Sequence, residues 1–163
     1  MRVTKRQQVC SLFKKGKSMG DTGTSLLPLY QLHKDGSIFV YTGTPLSSWR
    51  LLDNNPATIT ITMSDFGILY QLHKDDSIFV YQGPHPTDWR LLDNNPATMA
   101  ILGGPDSILY QLHTDGSIFM CADTGASEIT WPFIDNNPGI ATIAGGSGTP
   151  LYQLHKDGSI FVY

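Results

Sequence analysis

Trp49, Trp89 and Trp131 are each followed four residues later by the same tripeptide: Asp53-Asn54-Asn55, Asp93-Asn94-Asn95 and Asp135-Asn136-Asn137. An indole can stack on the apolar face of a sugar ring while its N–H donates a hydrogen bond. A carboxylate beside two amides offers acceptors and donors together, as paired sugar hydroxyls require. These twelve residues are the candidate ligand-binding set. The competing reading is structural. Large aromatics dominate core burial, and Asn or Asp ahead of proline, as at Pro56, Pro96 and Pro138, is ordinary turn chemistry. One tripeptide can serve both roles.

Other chemistry is thinner. His33, His73, His113 and His155 each stand alone in their repeat beside a turn, with no second His or Cys at metal-ligand spacing. His85 sits in an unrepeated loop. No metal and no cofactor is expected. Ser37, Ser77, Ser117 and Ser159 follow a hairpin turn with no base beside them in the repeat. The carboxylates are mostly repeated turn residues, whereas an enzyme concentrates one unrepeated constellation in one cleft. The glycine-rich stretches at 103–107 and 145–148 precede strands and read as loops, not phosphate cradles. The expectation is a protein that binds and does not catalyse.

The elements that must position these residues are tandem copies, which are sought before any other pattern. LYQLHKDGSIFVY occupies residues 29–41 and recurs unchanged at 151–163. At 69–81 it differs only by Asp76 in place of Gly36, and at 109–121 it carries Thr114, Met120 and Cys121. WRLLDNNPAT at 49–58 is identical to 89–98, and residues 131–138 are a looser copy. The period is 40 residues twice and then 42, with the extra pair falling between Cys121 and Trp131.

Each period predicts four short strands. Residues 29–33 alternate at strand spacing, Asp35-Gly36 supplies the hairpin signal, and residues 37–41 return. A loop with Gly43 and Pro45 leads to a third strand at 49–52. After the Asp-Asn-Asn-Pro turn, the fourth runs over 58–62. Helical periodicity is weak and confined to residues 5–15.

Four strands in about 40 residues predict an all-β fold, a small β-propeller of about four blades, each a four-stranded antiparallel sheet. A β-solenoid has shorter coils, a sandwich has no reason to repeat, and helical or leucine-rich repeats do not fit the strand pattern. The copies supply fourteen strands where four blades need sixteen. The missing pair are the inner strand of the first blade and the outer strand of the last. Residues 1–26 form a basic N-terminal arm ahead of the repeat domain at 27–163. Within it, 18–28 and 8–13 are the candidates for closing strands, since closure removes exposed edges. The rival is an arc that closes on a second copy, a homo-oligomer formed by ring closure or strand exchange.

Charge narrows the partners. Residues 1–26 hold six of the eleven bases and one acid, net +5, while the remainder holds five bases and thirteen acids, net −8. An acidic repeat body repels phosphate backbones, so nucleic acid is not an expected partner. No apolar run reaches the roughly 20 residues of a membrane span. No secretory signal is recognised, and the arm is poor in Ser and Arg for a mitochondrial presequence, so a cytoplasmic location is slightly favoured. Cys10 and Cys121 form neither a disulfide framework nor a zinc knuckle.

The blade pattern resembles the tectonin and tachylectin-like propeller lectins. The resemblance is carried by Leu29, Tyr30, Leu32, Asp35-Gly36, Ile38, Phe39 and Trp49, with their counterparts in the later copies, and covers residues 27–163. It implies shallow sugar sites between blades, one per blade, with no metal or cofactor. Asp76 at the turn glycine, Cys121 at the tyrosine and the low blade count depart from the pattern. The expected function is multivalent carbohydrate binding, with glycans, amino-sugars among them, as partners. Near-identical copies give near-identical sites, which suits weak binding to a repetitive surface. The alternative is a structural or protein-interaction scaffold whose repeats only build the ring.

Overall fold

The computed structural model describes residues 28–43, 48–122, 129–146 and 148–163. Among them lie fourteen strands and no helix, so none is long and apolar enough to cross a membrane. The strands form four antiparallel sheets. The first holds β1 (Tyr30–Leu32), β2 (Ser37–Tyr41) and β3 (Trp49–Asn54). The second holds β4 (Thr58–Met63), β5 (Leu69–His73), β6 (Ile78–Tyr81) and β7 (Trp89–Asp93), in that order. The third repeats the order with β8 (Thr98–Gly103), β9 (Ile108–His113), β10 (Ser117–Ala122) and β11 (Phe133–Asn136). The fourth holds β12 (Ile140–Ala144), β13 (Tyr152–His155) and β14 (Ile160–Val162).

The all-β expectation holds, and the strands fall where the copies predict them. The basic arm, most of the 18–28 segment, residues 8–13, Pro45 and most of the Cys121–Trp131 loop lie outside the described residues.

Each central hairpin is fixed by its turn. Gly36 has φ +88°, the left-handed region that glycine enters without a Cβ penalty. The Ser37 N–H donates to Asp35 Oδ1 (3.0 Å), and Asp75, Asp115 and Asp157 accept in the same way. Those N–H bonds, joined at Asp157 by a still stronger one from the Ser159 hydroxyl, hold the four carboxyls below the usual carboxylate range.

The outer strand runs further than expected, through Asp53 and Asn54, because a bulge lets Leu52 be the extra residue. Phe39 faces Leu51, while Ile38 faces Asp53. Such a bulge bends the strand and raises its twist. The same shift recurs in the second and third sheets. Trp131 departs from its counterparts: it lies before β11, next to Pro132, which has no N–H to give a ladder.

Both faces of a central sheet are covered. One face of the second sheet packs Tyr70, Leu72, Ile78, Val80 and Leu92 with Ile101 and Leu109 of the third. Its other face brings Leu69, with Ile61, Tyr81 and Trp89, against Ile38 and Leu52 of the first. Between the third and fourth, Leu112 and Ile118 meet Ile140, Ile143 and Leu151. Inner strand β8 touches β4 and β12, and the Gly103 N–H donates to Thr62 Oγ1 (2.8 Å). The Gly148 N–H reaches Asp65 Oδ2 (3.1 Å), linking loops of the fourth and second sheets past the third.

Asp76 leaves a measurable mark. It takes φ +65° where its counterparts are glycines. At Gly36 and Gly116 the space for a Cβ is filled by the backbone oxygens of Asn55 and Asn137. Ser37 pairs with Asn54, and Ser117 with Asn136. In the second sheet the ladder stops one pair earlier, at Ile78 and Asp93. The shorter ladder coincides with the one copy whose turn carries a side chain at this position.

Candidate functional site

Of the twelve sequence-selected residues, the Asp of each tripeptide lies where its sheet meets the next. The Asp of each tripeptide sits at the end of an outer strand, and its two oxygens divide the work. Asp53 Oδ1 accepts from the Asn54 N–H (2.8 Å), while Oδ2 accepts from Gln71 Nε2 of the following sheet (3.3 Å). Asp93 Oδ2 accepts from Gln111 (2.7 Å) and Asp135 Oδ2 from Gln153 (2.9 Å). The last Asn closes the turn: Asn55 accepts from Ala57 N–H (3.0 Å), Asn95 from Ala97 (3.0 Å) and Asn137 from Gly139 (2.9 Å). Asn54, Asn94 and Asn136 are exposed beside them.

The tryptophans lie apart from that polar end. Trp89 packs on the apolar junction between the first two sheets and Trp131 on that between the second and third. Trp49 and Trp89 are tilted against Tyr41 and Tyr81, with ring centroids 5.3 and 5.1 Å apart. The Trp89 indole N–H is buried without a hydrogen-bond partner among the described residues. Cys121 replaces the tyrosine in the third copy, and Trp131 has the Tyr70 cluster as its support.

What stands beside the tripeptides is a set the motif reading passed over: Gln71, Gln111 and Gln153, all buried. The signal was present, since every copy places a Gln in the middle of an otherwise apolar strand. A buried amide requires partners. Gln71 Oε1 accepts from Thr58 Oγ1 (2.8 Å), and Gln111 Nε2 donates to Thr98 Oγ1 (2.6 Å). In the fourth sheet Ile140 stands where those threonines stand. Gln153 Oε1 instead lies 3.4 Å from His155 Nε2.

Each histidine stacks on a phenylalanine of its own hairpin, His73 on Phe79 and His155 on Phe161, with centroids 4.6 Å apart in both. Burial lowers the His73 pKa, opposed by the Asp75 and Asp53 carboxylates. The buried Nε2 atoms of His73 and His113 have no hydrogen-bond partner among the described residues. No group of three or more His, Cys, Asp or Glu side chains there is arranged to hold a metal ion.

At the last junction these parts line an open groove of about 240 Å³, formed by Asp135 and Asn137 on one wall and Gln153, His155 and Phe161 on the other, with Val162 and Tyr163 at its edge. Carboxylate, amide, imidazole and an aromatic ring thus face one another across a shallow opening. Hydroxyl groups fit the polar wall and the apolar face of a ring fits Phe161. The same residue types recur at the two earlier junctions, where Leu91 and Phe133 of the outer strands lie opposite Phe79 and Phe119. No family model matches the chain, and no curated protein matches it.

Proposed function

We propose that the four sheets are the blades of a small β-propeller and that the grooves between them bind carbohydrate, one weak site per junction. The link from Gly148 to Asp65 supports a tightly curved array, because it joins loops of sheets two places apart. The groove between the third and fourth sheets carries the functional reading, with Asp135 and Asn137 facing Gln153, His155 and Phe161. This moves the aromatic contact from the tryptophans to the hairpin phenylalanines. The tryptophans become wedges between sheets, and the Asp and last Asn of each tripeptide hold the groove's wall. N-acetylated amino-sugars suit a site offering both amide and imidazole groups.

A glycan array on the purified chain tests this. Binding that falls several-fold in Phe161→Ala, with circular dichroism unchanged, supports it; Phe161 is half exposed, so its removal leaves the core intact. A blank array on folded protein overturns it in favour of a repeat scaffold for protein contacts.

A further inference from the structure

Each of the three junctions joins unlike faces. One sheet gives the face that carries the Tyr, second Leu, Ile and Val of its hairpin. The next sheet gives its opposite face, which carries the first Leu of the hairpin together with the buried Gln and His. Ile38 thus packs with Leu69, Ile78 and Val80 with Leu109, and Ile118 with Leu151.

The array therefore has two different ends. At the fourth sheet the first kind of face is bare. Tyr152, Leu154, Ile160 and Val162 are exposed, although their counterparts in the second sheet are all buried. At the first sheet the second kind is bare. Leu29 is 57% exposed where Leu69, Leu109 and Leu151 are 4% or less. Gln31 and His33 face solvent where the later copies bury both. Because residues 29–41 and 151–163 are identical, each end presents side chains that an internal junction already shows packed.

We propose that the two ends fit each other and that a second copy of this chain occupies them, the fourth sheet of one copy packing on the first sheet of the next. The chain's own ends do not meet, since both faces are exposed in the one molecule. An exposed apolar face of this kind marks an interaction surface, and the join is heterologous, using two different surfaces of the chain. It is weaker than an internal junction. Among the described residues the fourth sheet has no strand outside β14 and the first has none inside β1, so less apolar surface is covered. Gln31 also meets no counterpart of the Asp53 carboxylate that receives Gln71. The dilute chain is therefore a monomer with both ends free, and association grows with concentration. This rests on the packing of the repeated junctions and not on sugar binding.

Light scattering of the full chain, from low micromolar to near-millimolar concentration, is the test. The expected mass rises above that of one chain as concentration increases. Ile160→Asp blocks one end and Leu29→Asp the other. Both positions are exposed, so circular dichroism should be unchanged, and each variant alone should stay a monomer throughout. An equimolar mixture of the two should form dimers and nothing larger, because the fourth sheet of Leu29→Asp still fits the first sheet of Ile160→Asp. Should either variant lose its fold, Val162→Asp and Gln31→Arg read the same two faces. Association of Leu29→Asp by itself would show that like ends meet and overturn the proposal. So would a mixture that stays monomeric. A full chain that is a monomer at every concentration would overturn it as well, leaving the faces to another part of the same chain or to a different partner.

Discussion

Residues 29–41 and 151–163 are the same thirteen residues, yet they bury opposite faces. In the first copy Ile38 is 0% and Val40 9% exposed, while Gln31 and His33 face solvent. In the last, Ile160 is 69% and Val162 66% exposed, while Gln153 and His155 are buried. The hairpin's own geometry is unchanged, with the same strand register and the same glycine turn near φ +87°. Burial is therefore set by which neighbour each sheet has, the following one for the first copy and the preceding one for the last. One hairpin carries two working faces, one apolar and one polar, and the central sheets use both.

The contrast can be broken most strongly at the isoleucines. Ile38→Ala removes buried methylenes and leaves a cavity, so it should cost about 2–5 kcal/mol by denaturant unfolding. The identical change at Ile160 should cost about 0.5 kcal/mol or less. Equal losses would mean that the outward face of the fourth sheet is covered in solution.

The glycine turns come next. Gly36→Ala meets both the left-handed φ and the Asn55 backbone oxygen, so overpacking adds about 1–3 kcal/mol to a conformational cost of about 1. Gly158 has open space around it, and alanine there should cost only the conformational part. Asp76→Gly runs the other way. It should raise the melting temperature by the equivalent of about 1 kcal/mol and restore the pairing of Ser77 with Asn94. An unchanged melting point would separate the short ladder from the side chain.

On the polar face, Gln153→Ala leaves Asp135 without its cross-sheet donor and should cost about 1–3 kcal/mol. Gln31→Ala, exposed and facing no preceding sheet, should fall within about 0.5 kcal/mol of the parent. The smallest effect is a pH dependence. Burial depresses the His73 pKa in the fold, so the neutral ring is favoured there and the unfolded chain takes the proton first. Stability should be full above the unfolded value of about 6.5 and decline as pH falls below it. His73→Phe should flatten that slope, read from melting curves between pH 7 and 5.

Strand number, hairpins and the repeat period were legible in the sequence because they depend on local alternation and turn chemistry, as at Asp35-Gly36. The site was legible only in half. Asp53 and Asn55 were found by composition, but Gln71, the partner of Asp53, lies eighteen residues on and joins it from the following sheet. Its environment is invisible to a pattern read along one strand. The tryptophans show a second ambiguity of such reading. An indole at regular spacing is equally suited to a sugar and to a wedge, and only the packing of Trp89 against Ile38 and Leu52 distinguishes them. The bulge at Leu52 was hidden for a similar reason, since the extra residue is defined by the partner strand.

The central claim is that each junction between sheets makes one sugar site from the same parts. Native mass spectrometry of the full chain, titrated with a monovalent N-acetylated amino-sugar, counts them. The account predicts successive adducts up to at least three per chain with similar, weak affinities, one of them lost in Phe161→Ala. Folded protein that takes up no sugar, or that binds a single molecule unaffected by that change, would contradict it.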